Sequence, residues 1–162
     1  MRRMALFAAV MAAVVSLAVV VGVGGASGDA RTSRAGDQAR AAAKRVVGTW
    51  VVDVRPTGQP PLQALLTLTP GGGLIETENT GVGIAQGTWR MSARGRVALT
   101  FQHFEFDAQG APAGRVVVRA ELNRKGNGAT GPFKFDVFNA QGSVATSGSG
   151  TATAQRYKVQ PL

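Results

Sequence analysis

Val46-Val47-Gly48-Thr49-Trp50-Val51-Val52-Asp53-Val54 is the stretch on which the reading of this chain turns. Valine dominates it, and β-branched side chains lose rotamer freedom in a helix but pack well on a pleated surface. A glycine and a tryptophan ahead of that run read as the opening strand of a small antiparallel barrel. Everything after it repeats the same grammar of short β-rich runs cut by Gly, Pro and Asn.

Arg55-Pro56-Thr57-Gly58-Gln59-Pro60-Pro61 turns the chain into Leu62–Thr69, and Pro70-Gly71-Gly72-Gly73 turns it again into Leu74–Asn79. Ile84–Met91, Arg96–Asp107, Arg115–Asn123, Thr130–Asn139 and Ser143–Tyr157 complete the set. The connections are too short for crossover helices, so neighbouring strands pair antiparallel. Several runs alternate cleanly: Val97, Leu99 and Phe101 share one face, as do Val116, Val118, Ala120 and Leu122, and again Phe133, Phe135 and Val137. One apolar and one wet face per strand predicts an all-β, antiparallel up-and-down barrel of about eight strands over residues 46–162. An open sheet would leave long unpaired edges.

Upstream of the barrel, the chain divides in two. Arg2 and Arg3 precede an apolar run from Met4 to Val21 broken only by Ser16, and small residues follow through Gly28. Residues 1–28 therefore read as a signal peptide, which makes the protein secreted or otherwise extracytoplasmic. The run is also close to the minimum for a spanning helix, so a retained anchor through residues 4–23, with the domain outside, stays open. Residues 29–45 are polar, basic and alanine-rich, a linker that reads either as a short helix capped by Asp37 or as a disordered spacer.

Composition excludes several functions. With no cysteine and one histidine, thiolate and multi-His metal cages are ruled out, and no cofactor is expected. The formal net charge is +9, but seven of the 18 basic residues precede Val46. The clusters within the domain, Arg90, Arg94 and Arg96 at one turn and Arg124 and Lys125 at another, are not interleaved with aromatics. A nucleic-acid partner is therefore not expected.

Gly48-Thr49-Trp50 resembles the Gly-x-Trp signature of lipocalins and the wider calycin group, and the avidin group opens similarly. The resemblance implies a barrel whose Trp closes one end, covered by an arginine from the last strand. Arg156 stands where that arginine is expected, so Gly48, Trp50 and Arg156 are the candidate closure. A guanidinium stacked on indole gains roughly 0.5–2 kcal/mol. A second Gly87-Thr88-Trp89 lies mid-chain, too short an echo to establish a repeat.

The chemistry concentrates in Phe101-Gln102-His103-Phe104-Glu105-Phe106-Asp107. Alternation puts His103 and Glu105 on the face of Val97, Leu99 and Phe101. If that face is interior, an imidazole and a carboxylate line the barrel toward one rim, suited to acid–base work or to polarising a ligand. The opposite parity makes His103 a solvent-facing residue. Glu76 and Glu78 read as like charges on a solvated surface. No Gly-x-Ser-x-Gly elbow or phosphate loop is present.

Three functions follow. The first is an exported barrel that binds a small apolar ligand, with Trp50, Trp89, Phe101 and His103 as contacts, although both tryptophans also read as ordinary core aromatics. The small residues Thr146, Gly148, Gly150, Ala152 and Ala154 along one face of the last strand predict interior space. The second is an enzyme similar to allene oxide cyclase-like or dirigent-like barrels, with His103 and Glu105 as the catalytic candidates. The third is a solid-cored envelope interaction domain. The absence of a recognisable catalytic set favours binding over catalysis.

Overall fold

Eight strands close on themselves in sequence order, so each pairs with its chain neighbours and β1 pairs with β8. They are β1 (Gly48–Pro56), β2 (Leu62–Leu68), β3 (Gly73–Glu78) and β4 (Ala85–Met91), then β5 (Val97–Phe106), β6 (Pro112–Lys125), β7 (Gly128–Asn139) and β8 (Val144–Arg156). Every pairing is antiparallel. The structure, a computed structural model, describes residues 37–38, 40–81, 83–92 and 95–161. The signal peptide or anchor expected over residues 1–28 lies outside them.

The all-β up-and-down barrel read from the sequence is thus the observed fold, with the eight strands within a few residues of the eight runs. Closure leaves no strand edge unpaired, which removes the aggregation hazard of an open sheet. The last run, Ser143–Tyr157, is one continuous strand with a single register shift opposite Val137 and Phe138. A second shift falls between Glu105 and Phe106, where β5 meets the start of β6.

One end of the barrel is packed shut. Residues 40–44 are helical, and the amides of Val46 and Val47 bond back to the carbonyl of Ala43. This turn drives Val46 into the barrel end, where it is 2% exposed. The Trp50 indole N–H donates to the Val46 carbonyl at 2.9 Å, so the tryptophan and the incoming chain hold each other. Trp89 does the same at the β2–β3 turn, donating to the carbonyl of Thr69 at 2.9 Å. Leu68, Leu74, Val97, Leu122, Ala129 and Ala154 fill the space around them.

Arg156 seals this end. Its guanidinium carbon lies 4.3 Å from the centre of the Trp50 ring, and its N–H groups donate to the carbonyls of Val47 and Arg45. Gly48 is required beneath it: its φ is +122°, and a Cβ there would sit 2.4 Å from an Arg156 terminal nitrogen. Cation–π attraction and charge-assisted hydrogen bonds therefore act on one side chain at once.

Outside, the wet faces pair across strands. Arg119 meets Asp136 at 2.6 Å, and the Ser147 hydroxyl donates to the other Asp136 oxygen at 2.6 Å. Those hydrogen bonds, from Ser147 first and then from Arg119, hold the Asp136 carboxyl below its usual range. Arg96 reaches Glu121 at 3.2 Å. Among the described residues no helix is long and apolar enough to cross a membrane.

Candidate functional site

The half of the barrel opposite the closed end is not filled. A cavity of about 240 Å³ opens between Pro56, Gln59 and Leu62 at the β1–β2 turn and Glu78 and Glu105 at the ends of β3 and β5. Antiparallel order puts the β1–β2 turn, the end of β3 and the end of β5 at one end of the barrel, away from Trp50 and Arg156. Val52 and Val54 of β1, Val116, Val118 and Ala120 of β6, and Phe133 and Phe135 of β7 form most of its wall.

The small residues of β8 shape this space differently from the sequence expectation. Gly148 and Gly150 do face inward, but a Cβ at Gly148 would lie 2.3 Å from the Phe135 ring and one at Gly150 2.7 Å from the Phe133 ring. Their missing side chains accommodate the two phenylalanines, which stack with centroids 6.3 Å apart. The remaining void lies between those rings and the β3–β5 wall.

That wall carries the polar groups. His103 faces inward and is 9% exposed, so the interior parity for Val97, Leu99, Phe101 and His103 is the one the barrel adopts. Its Nε2 is 3.8 Å from Glu105 Oε1, too far for a hydrogen bond, and Glu105 sits nearer the rim. The outward residues of this segment, Phe104 and Phe106, are about 60% exposed.

Glu76 is the residue sequence reasoning misplaced. It lies inside the barrel at 6% exposure and lines the cavity, with Glu78 above it on the same face. Burial raises its carboxyl to about 7, with a further push from the charge of Glu78. Among the described residues nothing donates a hydrogen bond to Glu76, whereas the Thr80 hydroxyl donates to Glu78 at 2.6 Å. Pairing explains where Glu76 points. It sits opposite Leu66 on one side and Ala85 on the other, both buried inward residues, so its own side chain must face in as well.

The candidate ligand contacts separate. Phe101 and His103 line the cavity. Trp50 and Trp89 do not: they form the packed floor beneath it, each satisfied by a backbone carbonyl. The physical reason is topological, since Trp50 is near the start of β1 and Trp89 near the finish of β4, which places both at the closed end. Gly48, Trp50 and Arg156 do come together there. Of the two catalytic candidates, His103 is buried within the cavity and Glu105 is at its rim. Among the described residues no group of three or more acidic, His or Cys side chains converges to hold a metal ion. This chain matches no known protein family, no curated protein and no solved structure.

Proposed function

We propose that this chain is an exported binding barrel that takes up one small, mostly apolar molecule through the end opposite Trp50. The observation that carries the reading is the cavity of about 240 Å³, apolar over most of its wall and floored by packed aromatics, with its titratable groups confined to one side. Eight-stranded barrels have interiors of the size that holds one small ligand, and a mostly apolar pocket with a few convergent polar groups is the usual form of such a site. The Trp50–Arg156 closure supports kinship with the calycin barrels on the same grounds, since it is the contact that the resemblance implies. Export rests on the sequence of residues 1–28.

The test is titration with the neutral apolar dye N-phenyl-1-naphthylamine. Val118 points into the cavity, while Val117, its neighbour on β6, does not line it. Wild type and Val117→Phe should each show one saturable site, and Val118→Phe should lose it by filling the space. Absence of saturable binding in wild type, or equal binding by Val118→Phe, would overturn the proposal.

A second reading has its own observation. Glu76, raised to about 7 by burial, shares one cavity with His103, and a carboxyl of that kind suits proton transfer near neutrality. On this reading the barrel steers a reactive ligand, as the dirigent-like and allene oxide cyclase-like expectation has it. Glu76 joins His103 and Glu105 as the working groups. Solvent deuterium entering a bound carbonyl ligand, and failing to enter it in His103→Ala, would distinguish it from binding alone.

A further inference from the structure

The chain carries twice as many basic as acidic residues, 18 against 9, yet its cavity is acidic. Glu76, Glu78 and Glu105 line it, a third of all the acids, and no lysine or arginine does. A basic protein that turns its cations outward and collects carboxyl groups in its one apolar interior has an electrostatic preference there.

The register shows how these groups are arranged. Glu76 pairs with Ala85 on β4, and Gln86 beside it pairs with Gln102 on β5, so His103 stands at the level of Ala85. Glu76 and His103 thus flank a single alanine, their backbones separated by two inter-strand spacings, roughly 10 Å. Ala85 between them is fully buried, while Glu76 and His103 on either side both line the cavity. Glu76 is nine-tenths buried, projects into the cavity and receives no hydrogen bond from the described residues. Its oxygens border the cavity rather than packed protein, so a donor that enters the cavity from outside the chain can reach them.

The opposite wall points the same way. Phe133 and Phe135 present stacked rings across the cavity from β3 and β5, and Phe101 lies one inward position below His103. Aromatic faces attract cations through their quadrupole and give an anion nothing. His103 apart, the lining favours one charge type.

We propose, resting on the ligand-binding reading above, that the cavity selects a compact apolar amine, its ammonium group between Glu76 and the rim carboxylates and its hydrocarbon body against Phe133, Phe135 and the β6 valines. The volume fits a molecule on the order of ten non-hydrogen atoms, below the size of most drug-like ligands. The ammonium supplies the donors that Glu76 lacks. Because Glu76 titrates at about 7, amine affinity falls below that pH by up to about tenfold per unit as the carboxyl takes up its proton. The titratable groups that face Glu76 are Glu78 on its own strand and His103 and Glu105 on β5; β1, β2, β4, β6 and β7 contribute none to the cavity lining.

The experiment uses three probes with one hydrocarbon body: 3-phenylpropylamine, 3-phenylpropan-1-ol and 3-phenylpropionate. Each is titrated calorimetrically at pH 8 into the protein purified as its host produces it. The amine should bind about tenfold tighter than the alcohol, and the carboxylate should bind weakest. Glu76→Gln should bring amine and alcohol within about threefold of each other, with the alcohol unchanged. Should Glu76→Gln fail to fold, the double rim variant Glu78→Gln, Glu105→Gln should lower the amine preference by about threefold instead. Saturable alcohol binding that equals the amine would overturn the charge selection and leave the binding reading standing. An amine preference untouched by all these variants would place the ammonium elsewhere and overturn it too. Saturation by none of the three would remove the binding reading itself.

Discussion

Replacing Glu76 by glutamine should change how the stability of this barrel depends on pH, in a direction fixed by the geometry. In the unfolded chain the carboxyl titrates near its ordinary 4.5, and in the barrel near 7. The folded state therefore holds a proton that the unfolded chain has already lost. Stability from this group is fully present below about 4.5, falls as pH rises and is gone above about 7. At about 1.4 kcal/mol per pH unit, the whole displacement corresponds to roughly 3 kcal/mol. The carboxyl faces a cavity that opens to water at its rim, so solvent screening brings the expectation to about 2 kcal/mol. Glutamine keeps the shape and carries no such slope. Urea unfolding followed by the fluorescence of buried Trp50 and Trp89, at pH 4.5, 6, 7 and 8, measures both proteins. Other titrating groups cancel in the difference except those facing Glu76, namely Glu78, His103 and Glu105. The stability of Glu76→Gln relative to wild type should rise by about 2 kcal/mol from the lowest pH to the highest. A constant difference across that range, or one that falls, would refute a buried, proton-holding Glu76.

The closed end gives two more predictions. Arg156→Ala removes a stacking partner of Trp50 and two backbone contacts, and should cost about 2 kcal/mol in the same unfolding assay, while outward-facing Arg90→Ala should stay within about 0.5. Gly48→Ala places a Cβ at φ +122° against the Arg156 guanidinium, and should cost about 2 kcal/mol in wild type but measurably less in the Arg156→Ala background, as a double-mutant cycle would show. Upstream, N-terminal sequencing of exported protein should begin near Ser27 or Asp29, and recovery of an intact leader in the membrane fraction would favour the anchor instead.

The parts of this molecule that were legible in the sequence are those where one periodicity had no competitor. β5, β6 and β7 each offer three or more apolar residues at a spacing of two, which gave their inward faces over Val97–Phe101, Val116–Leu122 and Phe133–Val137; at His103 the competing Phe104 and Phe106 left the parity open until the barrel set it. β3 is different. Leu74-Ile75-Glu76-Thr77-Glu78 has one aliphatic residue in each parity, so either face could be the core. The barrel turned Leu74 inward at 3% exposure and left Ile75 at 47%, and Glu76 followed Leu74. The deciding information is the register with Leu66 and Ala85, a long-range property that no six-residue window contains. The tryptophans lie beneath the cavity rather than on its wall for a related reason. Two copies of Gly-Thr-Trp look equivalent as text, but strand direction decides which end of the barrel each one occupies.

Glu76 also separates what folds this barrel from what the barrel is for. A leucine at that position would continue the apolar surface between Leu66 and Ala85 and remove a carboxyl from an apolar interior, a change that commonly stabilises. Nothing in the fold requires the acid: Arg156, Trp50 and Trp89 close the opposite end, and their contacts do not reach it. His103 is in the same position, buried without a hydrogen bond on β5 and 3.8 Å from the nearest carboxylate. Local violations of the rules that make a stable core concentrate at functional sites. Here two such violations flank one alanine within one cavity, whereas in the closed half, Arg124 Nε apart, the two indole N–H groups and the Arg156 guanidinium all find partners. That asymmetry is the strongest reason to place the function in the open half and to begin with the carboxyl of Glu76.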